Sequence, residues 1–271
     1  MTDDAAVRDA IATLRAAGVD SPEYDARALA KHAQATGTDF ADLVGKRAQR
    51  TPLQHLVGST GFRYLDLEVG PGVFVPRPET EVLVDAVLAA IKDMTRPLVV
   101  DLCAGAGTIG FAVAHERPTA VVHLVERDPR AFEWLQRNAP RDDTDSRVHL
   151  HLADAAAALP ELDGTVDVVA SNPPYVAEHE RELVDPEVRD HDPEAALFAG
   201  DDGLDVIRVV AATAARLLKP RGLVAIEHSD RQGDAVPQLL KETDHWDEIA
   251  DHEDLTRRPR FATARRAEAA T

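Results

Sequence analysis

The chain has 271 residues, 44% of them hydrophobic, and a net charge of −18 at pH 7, enough material for one α/β domain and a small accessory domain. The surplus of acid argues against a general phosphate-neutralising nucleic-acid binder, and the single cysteine, Cys103, excludes an internal disulfide or a cysteine zinc cage. Met1-Thr2-Asp3-Asp4 lacks the basic and apolar regions of a secretory leader and no apolar run is long enough for a membrane helix, so a cytoplasmic location without a membrane partner is expected.

Residues 3 to about 48 read as helices. Val7, Ala10, Ile11 and Leu14 recur at helical spacing. Ser21-Pro22-Glu23 opens a second helix with Ser as its cap, continued by Ala28, Leu29 and His32. Thr38 and Asp39 start a third, which carries Phe40, Leu43 and Val44. This is too little apolar material for a large independent core, so residues 1–57 are expected to form a small helical domain docked on a larger body. In residues 58–77, Phe62, Tyr64, Leu65 and Leu67 lie near Gly58, Gly61, Gly70 and Gly72, the pattern of a β-hairpin linker. The stretch from Lys46 to Arg77 also holds Arg47, Arg50 and Arg63 against Asp66 and Glu68. It is either a basic rim for an acidic protein partner or scattered solvated charge.

Residues 78–271 alternate between the two periods. A helix over 79–91 precedes a strand ending at Leu102, a helix over 108–115, a strand over 120–125, a helix over 129–138 and strands over 148–152 and 166–170. A helix over 204–218, a Lys219-Pro220-Arg221-Gly222 turn, a strand over 223–227, a helix over 236–240 and two final strands complete the chain. Such alternation predicts an α/β fold, Rossmann-like, with a parallel sheet covered on both faces. Ligands of such folds sit beyond the carboxyl ends of the strands.

Four segments fall there. Asp101-Leu102-Cys103-Ala104-Gly105-Ala106-Gly107 leads from a buried strand into a small-residue loop, where glycine lets the backbone approach a ligand and the next helix offers free N–H groups. Gly105, Gly107 and Gly110 formally satisfy the G-x-G-x-x-G pattern, so the loop alone also suits NAD. Asp101 is expected to orient the loop through its backbone amides, or else to act as a buried cap. Glu126 ends the next strand, placed to accept from two ribose hydroxyls, and Asp154 follows the third strand. The fourth runs into Asn172-Pro173-Pro174-Tyr175. Two prolines end the ladder and stiffen the backbone. The Pro173 carbonyl, the Asn172 amide and the Tyr175 ring together make a receptacle for a planar NH2 group. Loop, acid and tetrapeptide in that order favour S-adenosylmethionine and methylation of an amine or amide over hydride transfer.

Thr51-Pro52-Leu53-Gln54-His55-Leu56-Val57-Gly58 and Val73-Phe74-Val75-Pro76-Arg77-Pro78-Glu79-Thr80-Glu81 add a further block. With Asp192-Pro193-Glu194-Ala195-Ala196-Leu197-Phe198-Ala199-Gly200, Asp202-Gly203-Leu204-Asp205 and Glu227-His228…Gln232-Gly233, the chain resembles the HemK/PrmC-type protein-(glutamine-N5) methyltransferases that modify peptide chain release factors. The resemblance spans roughly residues 50–265. Asn-Pro-Pro-Tyr alone is shared with adenine-N6 and guanine-N2 nucleic-acid methyltransferases; the Pro-Arg-Pro-Glu-Thr-Glu block is not.

The resemblance implies a seven-stranded methyltransferase domain over 78–271 with a late antiparallel strand, and a helical substrate-recognition domain before it. It implies that Cys103, Ala104, Gly105, Ala106 and Gly107 wrap the methionine end of S-adenosylmethionine, that Glu126 binds ribose, and that Asp154 and Ala155 lie by the adenine. Cys103 stands where relatives carry the first loop glycine, and Ala155 where they often carry an aromatic residue. Asn172 and Pro173 are expected to accept from the substrate amide, with Pro174 and Tyr175 shaping the pocket. Arg77 and Glu79 are expected to meet the substrate loop, with an ion pair between the two as the alternative. The implied reaction is methylation of the glutamine in the Gly-Gly-Gln motif of release factors by a monomer that does not bind nucleic acid. A ribosomal protein glutamine and, further off, a nucleic-acid amine are the other acceptors. His149 and His151 share a strand face with no ligand set around them, so no metal is expected.

Overall fold

In the computed structural model, which describes residues 4–139 and 147–268, the chain opens with the helices α1 (Asp4–Ala16), α2 (Pro22–Thr36), α3 (Phe40–Ala48) and α4 (Leu53–Val57). Leu14, Leu29, Leu43 and Leu53 turn inward into one cluster. The caps explain the boundaries. Gly37, at φ 76°, lets its amide close α2 on the Ala33 carbonyl, and the Asp39 carboxylate accepts from the Asp42 amide at 2.9 Å to start α3. The short helix α4 was not expected; it is too brief for its periodicity to register.

The hairpin follows as β1 (Ser59–Phe62) and β2 (Leu65–Glu68), paired antiparallel. The segment beyond it is fastened to the larger body. Val69 and Val73 are buried against Ala106 and Ala131, and the Trp134 indole donates to the Pro71 carbonyl at 3.3 Å. The helix expected from Glu79 begins as one 3-10 turn, Pro78–Thr80, and becomes the helix α5 (Glu81–Ile91) only afterwards.

The sheet contains β3 (Leu98–Leu102), β4 (Val121–Glu126), β5 (Val148–Leu152), β6 (Val166–Ser171), β7 (Leu218–Glu227), β8 (Trp246–Glu253) and β9 (Pro259–Arg266). Their order is β5-β4-β3-β6-β7-β9-β8. Strands β3 to β7 run parallel, and β9 is antiparallel to both its neighbours. Helices α5, α6 (Thr108–Glu116) and α7 (Pro129–Asn138) cover one face, where Leu83, Val87, Ile109 and Leu135 meet Val99, Leu124 and Val168. Helices α9 (Asp205–Leu217) and α10 (Ala235–Lys241) cover the other, where Ile207, Val210 and Leu240 meet Val100, Val169 and Ile226. Central strands buried on both faces carry unbroken apolar runs, which is why they stood out in the sequence. The expected turn at residues 219–222 lies inside β7. Pairing passes from Val166–Leu218 to Val168–Leu223, and the residues between loop out with Arg221 at φ 66°. The outer strand β8 exposes Asp247, Glu248, Asp251 and Glu253.

Between β6 and α9 the chain makes a 3-10 turn (Glu178–Leu183), the short helix α8 (Pro186–His191) and a second turn (Glu194–Ala196). A parallel bridge between Val176 and Phe198 ties its two ends. Arg47, 5% exposed, joins this segment to the first helices. Its guanidinium donates to Asp25 Oδ2 and to Glu187 Oε2, both at 2.7 Å, and to the Thr51 carbonyl at 3.1 Å. The other cations of that stretch are also committed: Lys46 to Asp42, Arg50 to Asp185, Arg63 to Asp85 and Glu116, and Arg77 to Asp192. Of the two readings of residues 46–77, a basic rim or scattered charge, the pairing of each of these cations with a carboxylate favours the second.

Candidate active site

The strand order reverses between β4 and β6 on either side of β3, and the ends of these three strands open into a cleft of about 410 Å³. This is the topological switch point of a doubly wound sheet. The loop after β3 forms its floor. Gly107, at φ 89°, is obligatory, since a Cβ there would lie 2.1 Å from the Phe111 ring. Gly105, at φ 55°, would meet nothing within 4 Å, so its face is open to the cleft. Cys103 also adopts a left-handed backbone, φ 63°, which accounts for glycine being usual at this point. Its thiol packs toward the core, and burial pushes its pKa up to about 12. Such a thiol is not a nucleophile at neutral pH.

Two carboxylates brace the loop. Asp101, 1% exposed, accepts from the Gly110 amide at 2.8 Å through Oδ2. It caps the first turn of α6 and does not reach the loop amides directly. Its Oδ1 is buried without a partner, and burial pushes the carboxyl up to about 7. Glu126 Oε2 accepts from the Gly105 amide at 2.9 Å and Oε1 from the Asp128 amide at 2.7 Å. Each oxygen keeps a lone pair for a hydroxyl from the cleft. Asp154 caps a 3-10 turn, accepting from the Ala156 amide at 2.8 Å. Ala155 is 8% exposed on the cleft wall, and its carbonyl accepts from the Thr213 hydroxyl at 3.0 Å.

Opposite this floor lies the tetrapeptide. Ser171 Oγ donates to the Leu102 carbonyl at 2.6 Å, fixing the end of β6 to β3. Asn172 Nδ2 then donates to Thr80 Oγ1 at 3.3 Å, so the amide turns its NH2 away and leaves Oδ1 as acceptor. Pro173 and Pro174 are buried. The Tyr175 carbonyl accepts from Gln232 Nε2 at 3.0 Å, and its hydroxyl lies 3.5 Å from Glu227 Oε1. Arg77 stacks on the Phe74 ring, 5.1 Å from its centroid, and donates to Asp192 Oδ2 at 3.0 Å. Burial pushes the Asp192 carboxyl up to about 6 even so. The ion pair with Glu79 does not form; Asp192 is the partner, and Glu79 lines the cleft separately.

The cleft thus gathers Arg77, Glu79, Asp101, residues 103–106, Glu126, Asp154, Ala155 and residues 172–175. Gly107 stands behind them as the cap of α6. Thr80, Glu227 and Arg260 were not foreseen. Thr80 lies inside a block that was already conspicuous, and Glu227 ends the apolar run Leu223-Val224-Ala225-Ile226 just as Glu126 ends β4, which was the available signal. His149 and His151 lie on the face opposite Leu150 beside His123, whose Nδ1 is 3.0 Å from His151 Nε2, and none of the three lines the cleft.

Sheet, switch point and cleft define an S-adenosylmethionine-dependent methyltransferase. The buried, unpartnered Asp101 Oδ1, the open lone pairs of Glu126 and the Gly105 face fit a cationic, ribose-bearing cofactor. The methyltransferase small domain model matches residues 64–187. A release factor glutamine methyltransferase of Streptomyces coelicolor is 49% identical, over 97% of this chain and 98% of that protein. A 4-amino-L-phenylalanine/4-methylamino-L-phenylalanine methyltransferase of Streptomyces pristinaespiralis is 39% identical, over 89% and 88%. The catalytic domain of hMettl16 superposes with a TM-score of 0.60 at 13% identity, over 88% of this chain and 95% of that one, a likeness of fold alone. The chain belongs to the release factor glutamine methyltransferase family.

Proposed function

We propose that the protein transfers a methyl group to N5 of the glutamine in the Gly-Gly-Gln motif of peptide chain release factors. The observation that carries this reading is the Asn172–Thr80 contact. It turns the Asn172 NH2 toward Thr80 and so supports Oδ1 as an acceptor on the cleft wall; with the Pro173 carbonyl as the second acceptor, the pair would match the two hydrogens of a side-chain amide. Bound S-adenosylmethionine supplies a methyl group already activated on a sulfonium. The task of the protein is alignment and electrostatics, because the amide lone pair is delocalised and a poor nucleophile.

In this reading Asp101, Cys103, Ala104, Gly105, Ala106, Gly107, Glu126, Asp154 and Ala155 hold the cofactor, and Asn172 touches both ligands. Asn172 Oδ1 and the Pro173 carbonyl turn the amide nitrogen toward the methyl group and stabilise the charge it acquires. Pro174 and Tyr175 exclude water, and Arg77 and Glu79 meet the substrate loop. Residues 1–57 act as the recognition domain, 58–77 as a linker docked on the catalytic body, and 78–271 as the catalytic domain. The protein works as a monomer on a protein substrate, without nucleic acid. The test is labelled cofactor with intact release factor, with release factor lacking the motif glutamine, and with structured RNA; only the first should be labelled, at that glutamine by mass spectrometry.

The relative from S. pristinaespiralis gives a second reading, a small aromatic amine as acceptor. An arylamine also presents a planar NH2 group to two acceptors. Methylation of 4-amino-L-phenylalanine in preference to release factor would establish it.

A further inference from the structure

We propose that Glu227 is the proton acceptor of the methyl transfer, taking on Oε2 the N–H proton that the methylated nitrogen must lose. This rests on reading the cleft as a site for a side-chain NH2 group. Strand register makes the first case. Ser171 pairs with Ile226 across β6 and β7, so the next residues, Asn172 just past β6 and Glu227 at the last position of β7, lie level with one another. Glu227 lines the same cleft and is 1% exposed. Its Oε1 faces the Tyr175 hydroxyl at 3.5 Å, while Oε2 is buried without a hydrogen-bond partner. A buried carboxyl oxygen left unpaired in a ligand cleft calls for an explanation, and a substrate proton supplies one.

The groups around Glu227 come from three other elements. Thr80 and Glu79 belong to the 3-10 turn before α5, Tyr175 to the loop after β6, and Arg260 to β9. Burial and the Glu79 charge favour the neutral carboxyl, whereas Thr80, Arg260 and Tyr175 favour the ion; burial dominates and pushes the group up to about 7. A carboxylate of that basicity holds a proton far better than either amide oxygen of the receptacle. Asn172 Oδ1 and the Pro173 carbonyl are amide oxygens, which accept hydrogen bonds without becoming protonated near neutral pH.

The step balances. The amide nitrogen's lone pair forms the N–C bond as the S–C bond breaks, whose electron pair stays on sulfur. The electrons of one N–H bond then return to nitrogen as its lone pair, and the proton passes to Glu227 Oε2. A neutral N-methyl amide and a neutral Glu227 remain, and Glu227 gives its proton to solvent once the product leaves.

The experiment compares wild type, Glu227→Gln and Glu227→Asp in kcat against pH, in cofactor affinity by calorimetry, and in unfolding midpoint against pH. Release factor and 4-amino-L-phenylalanine are both offered, and kcat is read on whichever the wild type methylates. Wild-type kcat should fall as pH drops below about 7. Glu227→Gln should lower kcat roughly a hundredfold or more and abolish that acid limb, with cofactor affinity unchanged and partial recovery in Glu227→Asp. The folded protein keeps a proton on Glu227 that the unfolded chain loses above its ordinary value of 4.5. Wild-type stability should therefore decline as pH rises from there to about 7, and Glu227→Gln should make that decline shallower by the share of Glu227, leaving those of Asp101 and Asp192. The proposal is overturned if Glu227→Gln keeps its kcat and acid limb, or if it loses cofactor binding in step with kcat. Methylation of the amine but not of release factor would sink the substrate reading while still judging Glu227. Methylation of neither would sink both.

Discussion

A single hydroxyl sets which way the central amide of this site faces. Thr80 Oγ1 accepts from Asn172 Nδ2 across 92 positions of sequence, so Thr80→Val should free the amide to rotate without changing its surroundings in shape. Cofactor affinity should hold, and kcat should fall by about tenfold or more, toward the roughly hundredfold loss expected for Asn172→Ala. The two losses should not add fully in the double variant, since both reach Asn172 Oδ1, although Thr80→Val also removes a group that favours the Glu227 carboxylate. At the other end, Glu126→Ala should weaken S-adenosylmethionine binding by about 1 to 3 kcal/mol in calorimetry. Asp101 adds a pH dependence. Its carboxyl lies at about 7 against an ordinary 3.8, so the empty protein retains a proton that a cation in the cleft expels. Cofactor affinity should therefore rise with pH up to about 7 and level off above it, and Asp101→Asn should remove that slope.

At the scale of elements, the loop after β3 offers a paired test of what its glycines do. Gly107→Ala drives a methyl into Phe111 at an already left-handed backbone and should cost about 2 kcal/mol or more in chemical denaturation. Gly105→Ala meets no protein atom, so it should cost only about 1 to 2 kcal/mol of backbone strain while its methyl enters the cleft and weakens cofactor binding. The strands and most helices were legible because their apolar runs and caps are local: Pro129–Asn138 and Val148–Leu152 fell where the periodicity put them. The segment from Val176 to Gly203 was not, because short 3-10 turns hold no period and their order comes from ties such as the Val176–Phe198 bridge. The site divided the same way. Asn172, Glu126 and Gly105 announced themselves by neighbours in sequence. Thr80 and Glu227 gained their meaning only when the sheet set them beside Asn172.

For the whole molecule, the joint between the first helices and α8 rests on two cations, Arg50 at its rim beside Asp185 and the buried Arg47. Arg47 serves Asp25, Glu187 and the Thr51 carbonyl at once. Arg47→Met leaves the buried Asp25 carboxylate without its cation, while Glu187 keeps Arg50 at 3.7 Å, and should destabilise the protein by about 3 to 5 kcal/mol. Because Glu187 lies in the segment that follows Tyr175, the same change should raise KM for release factor more than it alters cofactor affinity. Separate measurements of unfolding and of the two affinities check this.

The row of carboxylates along β8 has a consequence of another kind. That strand is the open margin of the sheet, with backbone groups free to template another chain, and a margin left bare invites fibrils. Asp247, Glu248 and Glu253 stand guard there, and the interruption of pairing between Asp247 and Ala250 spoils its flatness. The guard is made of acid alone, so it should lapse when the carboxylates are neutralised: below about pH 4 light scattering should reveal clumping that Glu253→Lys suppresses, since a lysine keeps its charge where a glutamate does not.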